Sequence, residues 1–314
     1  MILASLVGVV VGGPPRMPAA DSLVVTLLGT GTPQPRLDRM GPATLVEAGP
    51  HRLLFDAGRG VPIRLEQAGI RPGLIRAVFL THLHSDHTVG LPDLWLTGWL
   101  PPFGGRTAPL QVIGPAGTLG LVRGLTDAFA EDLRMRTTEE GLPPAGANLT
   151  ALEFTADTVV LSDAGVVVEA FAVDHGGELR PAYGYRITYR GRSVVISGDT
   201  RYSPNLIRHA LDADVILHEV TMSPPQTEVP APVRFILDHH TSPEEAAEVF
   251  TRTKPRLAVL THFALPPSRG GGAEVTPAAV LAATRRRYAG RVEAGYDLVR
   301  IVVADSIRVD PAKP

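Results

Sequence analysis

The chain has 314 residues, 44% of them hydrophobic, and a formal net charge of -2. That length supplies ample core for one large domain or two small ones, while the near-neutral charge gives no bulk electrostatic case for nucleic-acid binding. Cysteine is absent, which excludes disulfides, thiol catalysis and zinc–thiolate sites and leaves histidine and carboxylate as the ligands for any zinc.

Residues 1 to 13 carry no charge and are almost all apolar or small. The stretch is too short to span a bilayer. It has the apolar centre of a secretory signal, with Pro18-Ala19-Ala20 as a candidate cleavage site, but it lacks the basic start. The expectation is a leader over residues 1–21, a signal peptide or disordered, with a lean towards export and otherwise a cytoplasmic location, and a single folded domain over 22–314; a mis-annotated start or a first strand is the alternative reading of the stretch.

Strands and helices then alternate. Leu23 to Leu28 is a β-branched-rich strand leading into Gly29-Thr30-Gly31-Thr32-Pro33. Thr44 to Glu47 and Arg52 to Asp56 form a hairpin pair around Gly49-Pro50, Val61 to Ala68 has helical spacing, and Ala77 to Leu80 is a strand. Trp95 and Trp99, four apart, share a helical face, which core packing explains better than an aromatic lip. Leu110 to Ile113 reads as a strand and Thr118 to Phe129 as a helix. Further strands are expected at Val166 to Val173, Tyr183 to Tyr189, Ser193 to Ser197, Val215 to Leu217, Leu257 to Leu260 and Leu298 to Val303. Ser242-Pro243-Glu244-Glu245 opens a helix to about Thr251, with Ser as N-cap, Pro in the first turn and Glu three residues on, and Pro277 to Tyr288 is another. Two strand-rich halves with helices to spare imply two facing sheets under helical layers, an α/β class.

The chemistry concentrates at Thr81-His82-Leu83-His84-Ser85-Asp86-His87, an H-x-H-x-D-H cluster directly after the strand Ala77 to Leu80. Three imidazoles and a carboxylate within six positions suit zinc or a similar borderline ion. Other candidates each follow an apolar run: Asp174-His175, Gly198-Asp199-Thr200, Glu219 and Thr261-His262. Alone each is weak, but ligands from several strand ends can converge on one point. His51 and His209 are expected at the surface, His218 as structural, and the His239 ring as turned away. Arg180, Arg186 and Arg201 could bind an anion, though solvated arginines are the default.

These residues resemble the metallo-β-lactamase superfamily, in its tRNase Z (ribonuclease Z) and arylsulfatase-like branch. The resemblance runs from about Leu23 onward and rests on Gly29-Thr30-Gly31, Phe55-Asp56-Ala57-Gly58, the H-x-H-x-D-H loop, His175, Asp199 and His262. It implies a four-layer αβ/βα sandwich and a dinuclear zinc hydrolase, with manganese or iron as substitute metals. By resemblance, His82, His84 and His175 hold one ion, Asp86, His87 and His262 the other, and Asp199 bridges them, with Asp56 orienting the metal loop from behind. A metal-bridged hydroxide would attack a phosphodiester or related anionic ester. Leu217-His218-Glu219-Val220-Thr221 resembles that branch's H-E-A-T motif, departing at Val220, and His240-Thr241-Ser242 resembles the segment carrying its extra catalytic histidine. His240 would then donate a proton to the leaving oxygen, oriented by Glu219, with Asp86 as a further catalytic carboxylate.

One departure bears on the substrate. Enzymes that trim tRNA generally carry a basic arm, and the nearest candidate here, Glu131 to Asn148, has Arg134 and Arg136 offset by Glu131, Asp132, Glu139 and Glu140. That favours a small anionic ester over tRNA as partner. The competing expectations are an arylsulfatase, lactonase or other ester hydrolase of the same fold, and a catalytically silent metal-binding module. A homodimer is expected from resemblance alone.

Overall fold

The structure is a computed structural model; residues 22–177, 179, 181–224, 230–266 and 274–312 are described. The proposed leader and Arg180 therefore lie outside the described residues. The first half runs β1 (Leu23–Gly29), β2 (Ala43–Ala48), β3 (His51–Phe55), α1 (Val61–Gln67), β4 (Ala77–Phe79), α2 (Ser85–Thr88), α3 (Leu91–Trp99), β5 (Leu110–Pro115), α4 (Thr118–Ala128), α5 (Ala130–Thr138), α6 (Pro144–Ala147) and β6 (Leu149–Phe154). The second runs β7 (Thr158–Asp163), β8 (Val166–Val173), β9 (Ala182–Tyr189), β10 (Arg192–Ile196), α7 (Pro204–Ala210), β11 (Val215–Thr221), α8 (Ala231–His239), α9 (Pro243–Thr253), β12 (Leu257–Ala264), α10 (Pro277–Arg285), β13 (Val292–Ala294), β14 (Arg300–Val303) and β15 (Ile307–Asp310).

Two mixed sheets result. One has the order β15-β14-β1-β2-β3-β4-β5-β6, the other β13-β12-β11-β10-β9-β8-β7. In the first, β3 to β6 pair in parallel; in the second, β10, β11, β12 and β13 do. Alternate residues of each central strand face opposite layers. Val25, Leu27, Phe55 and Phe79 meet Tyr185, Ile187, Leu217 and Val259 between the sheets. Leu45, Leu54, Val78 and Val112 turn outward under α1, α3 and α4, and Val195, Ile216, Ala258 and Leu260 pack beneath α7, α9 and α10. Strands covered on both faces read as unbroken apolar runs, which is why they could be located in the sequence. The four-layer sandwich is as expected.

Trp95 and Trp99 are fully buried, and their indole N–H groups donate to the Ala147 and Pro143 carbonyls, so they pin α3 to the α6 segment. His51 is also buried, against expectation, with its ring 3.3 Å from Asp163 on β7. An imidazole at the start of β3 is covered when the opposite sheet closes over it, a tertiary effect that no local pattern announces.

Candidate metal centre

The parallel strands of both sheets end at one edge, and the loops leaving them build the site. Leu80–His84 leave β4, and α2 carries Asp86 and His87. Behind them lies the Asp56–Gly58 segment. The Asp56 N–H donates to the Phe79 carbonyl, the Ala57 N–H to the His87 carbonyl, and the Gly90 N–H to the Ala57 carbonyl. Contact is so close that a Cβ on Gly58 would sit 2.4 Å from the Gly41 carbonyl carbon and 2.6 Å from the Asp86 carbonyl oxygen. Only glycine allows this approach. Asp56 itself adopts φ 59, a conformation that Asp tolerates better than most residues. Its buried carboxylate accepts from the Thr81 N–H at 2.8 Å and lies 2.7 Å from His87 Nδ1.

The expected ligands form two groups, His82, His84, His175 and Asp199, and Asp86, His87 and His262, with the ligating atoms of each within 4.8 Å of one another. Asp199 Oδ2 lies between them, 3.9 Å from His82 Nε2 and His175 Nε2, 3.4 Å from His87 Nε2 and 3.3 Å from His262 Nε2. His87 Nε2 and His262 Nε2 approach to 3.2 Å, and His82 Nε2 is 2.8 Å from His84 Nδ1. The outward nitrogens of several rings are held from behind: His82 Nδ1 by the Thr81 hydroxyl at 3.0 Å, His87 Nδ1 by Asp56, and His175 Nδ1 by the His239 carbonyl at 2.9 Å. Such backing fixes tautomer and aim in metal-ligating histidines.

Electrostatics fit a cation. Burial lowers the His82, His84 and His175 pKa values, well below the ordinary value for His82, which keeps their lone pairs free. Burial disfavours the Asp199 carboxylate, yet His262, His87 and His82 hold its pKa well below the usual range. Burial also opposes a charge on His87, but Asp199 and Asp56 raise its pKa well above the ordinary value. None of the described arginines pairs with Asp86 or Asp199. Convergent imidazoles and carboxylates with no arginine paired to them are the donor set that divalent metals take. The residues present therefore fit a metal.

Two candidates sit differently from expectation. Glu219 and His262 lie within strands rather than in loops after them, since β11 continues to Thr221 and β12 to Ala264. The register between these strands breaks between Glu219 and Val220, with Thr261 and Phe263 paired on either side of His262. His262 has φ 41. An unpaired residue of this kind re-aims its side chain, and here the ring turns into the centre.

Glu219 is 1% exposed. One oxygen accepts from the Thr241 N–H at 2.8 Å and the Thr200 N–H at 3.3 Å, and the other lies 3.1 Å from His240 Nδ1. Burial alone would lower the His240 pKa, but Glu219 and then Asp199 outweigh it and push it up to about 9. Thr241 also donates its hydroxyl to the Thr200 carbonyl and accepts from the Thr221 N–H, which ties the His240 segment to β11. His218 is structural, as expected, with Nδ1 donating to the Glu219 carbonyl. The His239 ring, expected to turn away, lines the cavity beside the centre. Arg186 donates to the His209 and Leu211 carbonyls and Arg201 pairs with Asp174 at 2.6 Å, so neither is free for an anion. His209 stacks on Phe171 and pairs with Asp157 and Glu169. Sequence reasoning missed Thr81, Thr200, Thr241 and the His239 carbonyl. Of these only Thr81, a hydroxyl next to the first ligand, left a local signal.

Comparison with known proteins gives the family. A family model described as "Beta-lactamase superfamily domain" matches residues 51–263. Ribonuclease Z of Mycobacterium bovis (strain BCG / Pasteur 1173P2) is 39% identical over 282 residues, covering 90% of this chain and 98% of the relative. Ribonuclease Z of Mycobacterium marinum is 39% identical over 280 residues, covering 89% and 98%. Among solved structures, the metallo-β-lactamase fold protein YhfI from Bacillus subtilis superposes with TM-score 0.67 at 20% identity, covering 90% of this chain and 100% of that one. The short form of human tRNase Z does so with TM-score 0.62 at 23% identity, covering 90% and 98%. With the matching fold and the clustered histidines and aspartates, the chain belongs to the metallo-β-lactamase superfamily, on its ribonuclease Z branch, and is a metal-dependent hydrolase.

Proposed function

We propose that the protein is a two-metal phosphodiesterase in which His240, held by Glu219, protonates the departing oxygen. The observation that carries this reading is the buried Glu219–His240 pair, 3.1 Å apart, beside the clustered ligands. His82, His84 and His175 would hold one ion, Asp86, His87 and His262 the other, with Asp199 shared; zinc suits this nitrogen-rich set best. When bound, such a pair acidifies water and neutralises charge on the scissile group.

The chain's own residues supply the rest. Asp56 and Thr81 keep His82 and His87 aimed inward, and the His239 carbonyl does the same for His175. Glu219 is fixed by two backbone N–H groups, so its charge is preorganised rather than recruited. Its hydrogen bond holds the proton on His240 Nδ1 and stabilises the imidazolium, whose other N–H then serves the leaving group. An alkoxide leaves poorly without such a donor, and general-acid help contributes roughly 10²–10⁴ in rate. The name of the relatives, ribonuclease Z, supports an RNA phosphodiester as one substrate class.

The test is His240→Ala with parallel assays of turnover and metal content. Turnover of an alkyl phosphodiester should fall by about 10²–10⁴, turnover of one with a p-nitrophenol leaving group should fall less, and metal content should stay unchanged. Because Asp199, His240 and His262 also form a close group, loss of a metal equivalent in this variant would assign His240 to ligation instead.

A further inference from the structure

Three of the clustered rings are gripped on the side away from the centre, His82 by Thr81, His87 by Asp56 and His175 by the His239 carbonyl. His262 differs. Its Nδ1 is buried and has no hydrogen-bond partner among the described residues. The aim of this ring therefore depends on its backbone, which leaves the strand pairing and takes φ 41 between Thr261 and Phe263. A non-glycine residue in that region is strained and persists only where its neighbours over-determine it.

Those neighbours are held from outside the strand on both sides. Before His262, the Leu260 carbonyl accepts from the Gly295 N–H at 2.7 Å. After it, the Phe263 N–H donates to the Thr30 carbonyl at 3.3 Å, and the Arg39 guanidinium lies over the Phe263 ring, 4.7 Å from its centroid. These holders meet at one buried carboxylate, Asp297, in the turn between β13 and β14. Asp297 Oδ1 accepts from the Thr30 N–H at 2.9 Å and from its hydroxyl at 2.8 Å. Oδ2 accepts from the Met40 N–H at 2.7 Å and from Arg64 Nε on α1 at 3.1 Å. Arg39 Nη1 joins the group by donating to the Thr30 hydroxyl at 2.6 Å and to the Gly295 carbonyl at 3.0 Å. Asp297 thus closes both ends of the segment between β1 and β2, and Arg64 holds its middle through the Leu37 carbonyl at 3.0 Å. With both oxygens doubly satisfied, the carboxylate is a rigid anchor.

From this we infer that Asp297 is a positioning residue for the ion assigned to Asp86, His87 and His262: through Thr30, Arg39 and Phe263 it fixes the backbone at His262 and so directs that ring. The inference rests on the ligand assignment proposed above. Its reach is one-sided. Met40 leads into Gly41, where a Cβ would lie 3.1 Å from the Asp86 carbonyl oxygen, so the same segment also backs α2. The groups that hold His82 and His175, Thr81 and the His239 carbonyl, stand outside this network. Loosening Asp297 should therefore weaken the ion at Asp86, His87 and His262 and spare the one at His82, His84 and His175.

Stepwise zinc titration of the metal-free protein against a chromophoric chelator tests it, with His262→Ala marking which step belongs to that ion. Asp297→Asn keeps the shape of the side chain but has one acceptor oxygen in place of two. It should weaken the marked step about ten- to hundredfold and leave the other at the wild-type affinity. Placed in the His262→Ala background, the same change should leave the affinity of the remaining ion unmoved. Should Asp297→Asn fail to fold, Thr30→Val and Arg39→Met cut the same connection while Asp297 still faces Arg64, and each should weaken the marked step alone. A purely structural role would lower the unfolding temperature and change neither zinc step; that result, or equal weakening of both steps, would overturn the inference. If the wild-type protein shows no second zinc step, or His262→Ala keeps both, the ligand assignment fails and the inference falls with it.

Discussion

His240 and Asp56 carry the sharpest predictions at the residue scale. The folded-state pKa of His240 is raised above the ordinary imidazole value, to about 9, so its protonated form persists below that pH and is lost as pH rises through it. Cations bound at the neighbouring ligands oppose this proton, which makes about 9 the upper limit for the basic limb of the kcat/KM profile. Glu219→Gln removes the countercharge and should bring that limb down towards the ordinary imidazole range; an unmoved limb would separate Glu219 from the proton donor. Asp56→Asn keeps a side chain that tolerates the left-handed backbone and can accept from Thr81, yet it loses the charge facing His87. A chelator competition should show metal affinity reduced about ten- to hundredfold. Most of these side chains could be read in the sequence because H-x-H-x-D-H is local and the others follow strands. The His239 carbonyl could not, because a backbone acceptor has no residue signature.

Elements explain where sequence reading stopped. β6 and β7 form sheet edges with mixed or exposed patterns, so neither offers the apolar run that marks central strands. β11 and β12 run past their apolar cores to Thr221 and Ala264, and the buried polar residues at their ends read as loop when only hydrophobicity is followed. The start of α9 was legible because its signal is chemical: the Ser242 hydroxyl accepts from the Glu245 N–H, and the Glu245 carboxylate accepts from the Ser242 N–H. Ser242→Ala should cost about 1 kcal/mol in urea denaturation. A different outcome is expected of Gly58→Ala. Its Cβ would meet backbone that cannot yield cheaply, so both thermal stability and metal retention should drop together; a variant that keeps wild-type metal content would show that the segment behind α2 adapts.

Across the whole molecule, the centre exists because two facing sheets end their parallel strands at one edge. His82, His84, Asp86 and His87 come from the first half; His175, Asp199 and His262 come from the second. Neither half can close the site alone, so metal binding should report on the docking of the sheets and raise the unfolding temperature. The order of these residues along the chain suggested that convergence, while the cavity beside the centre depended on α8 and on Leu265 beyond β12, which no motif marked. The most direct test of the two-metal account is elemental analysis of purified protein reconstituted with zinc and freed of excess. About two divalent ions per chain are expected, and a stoichiometry of one or none in folded protein would rule out a shared pair of ions.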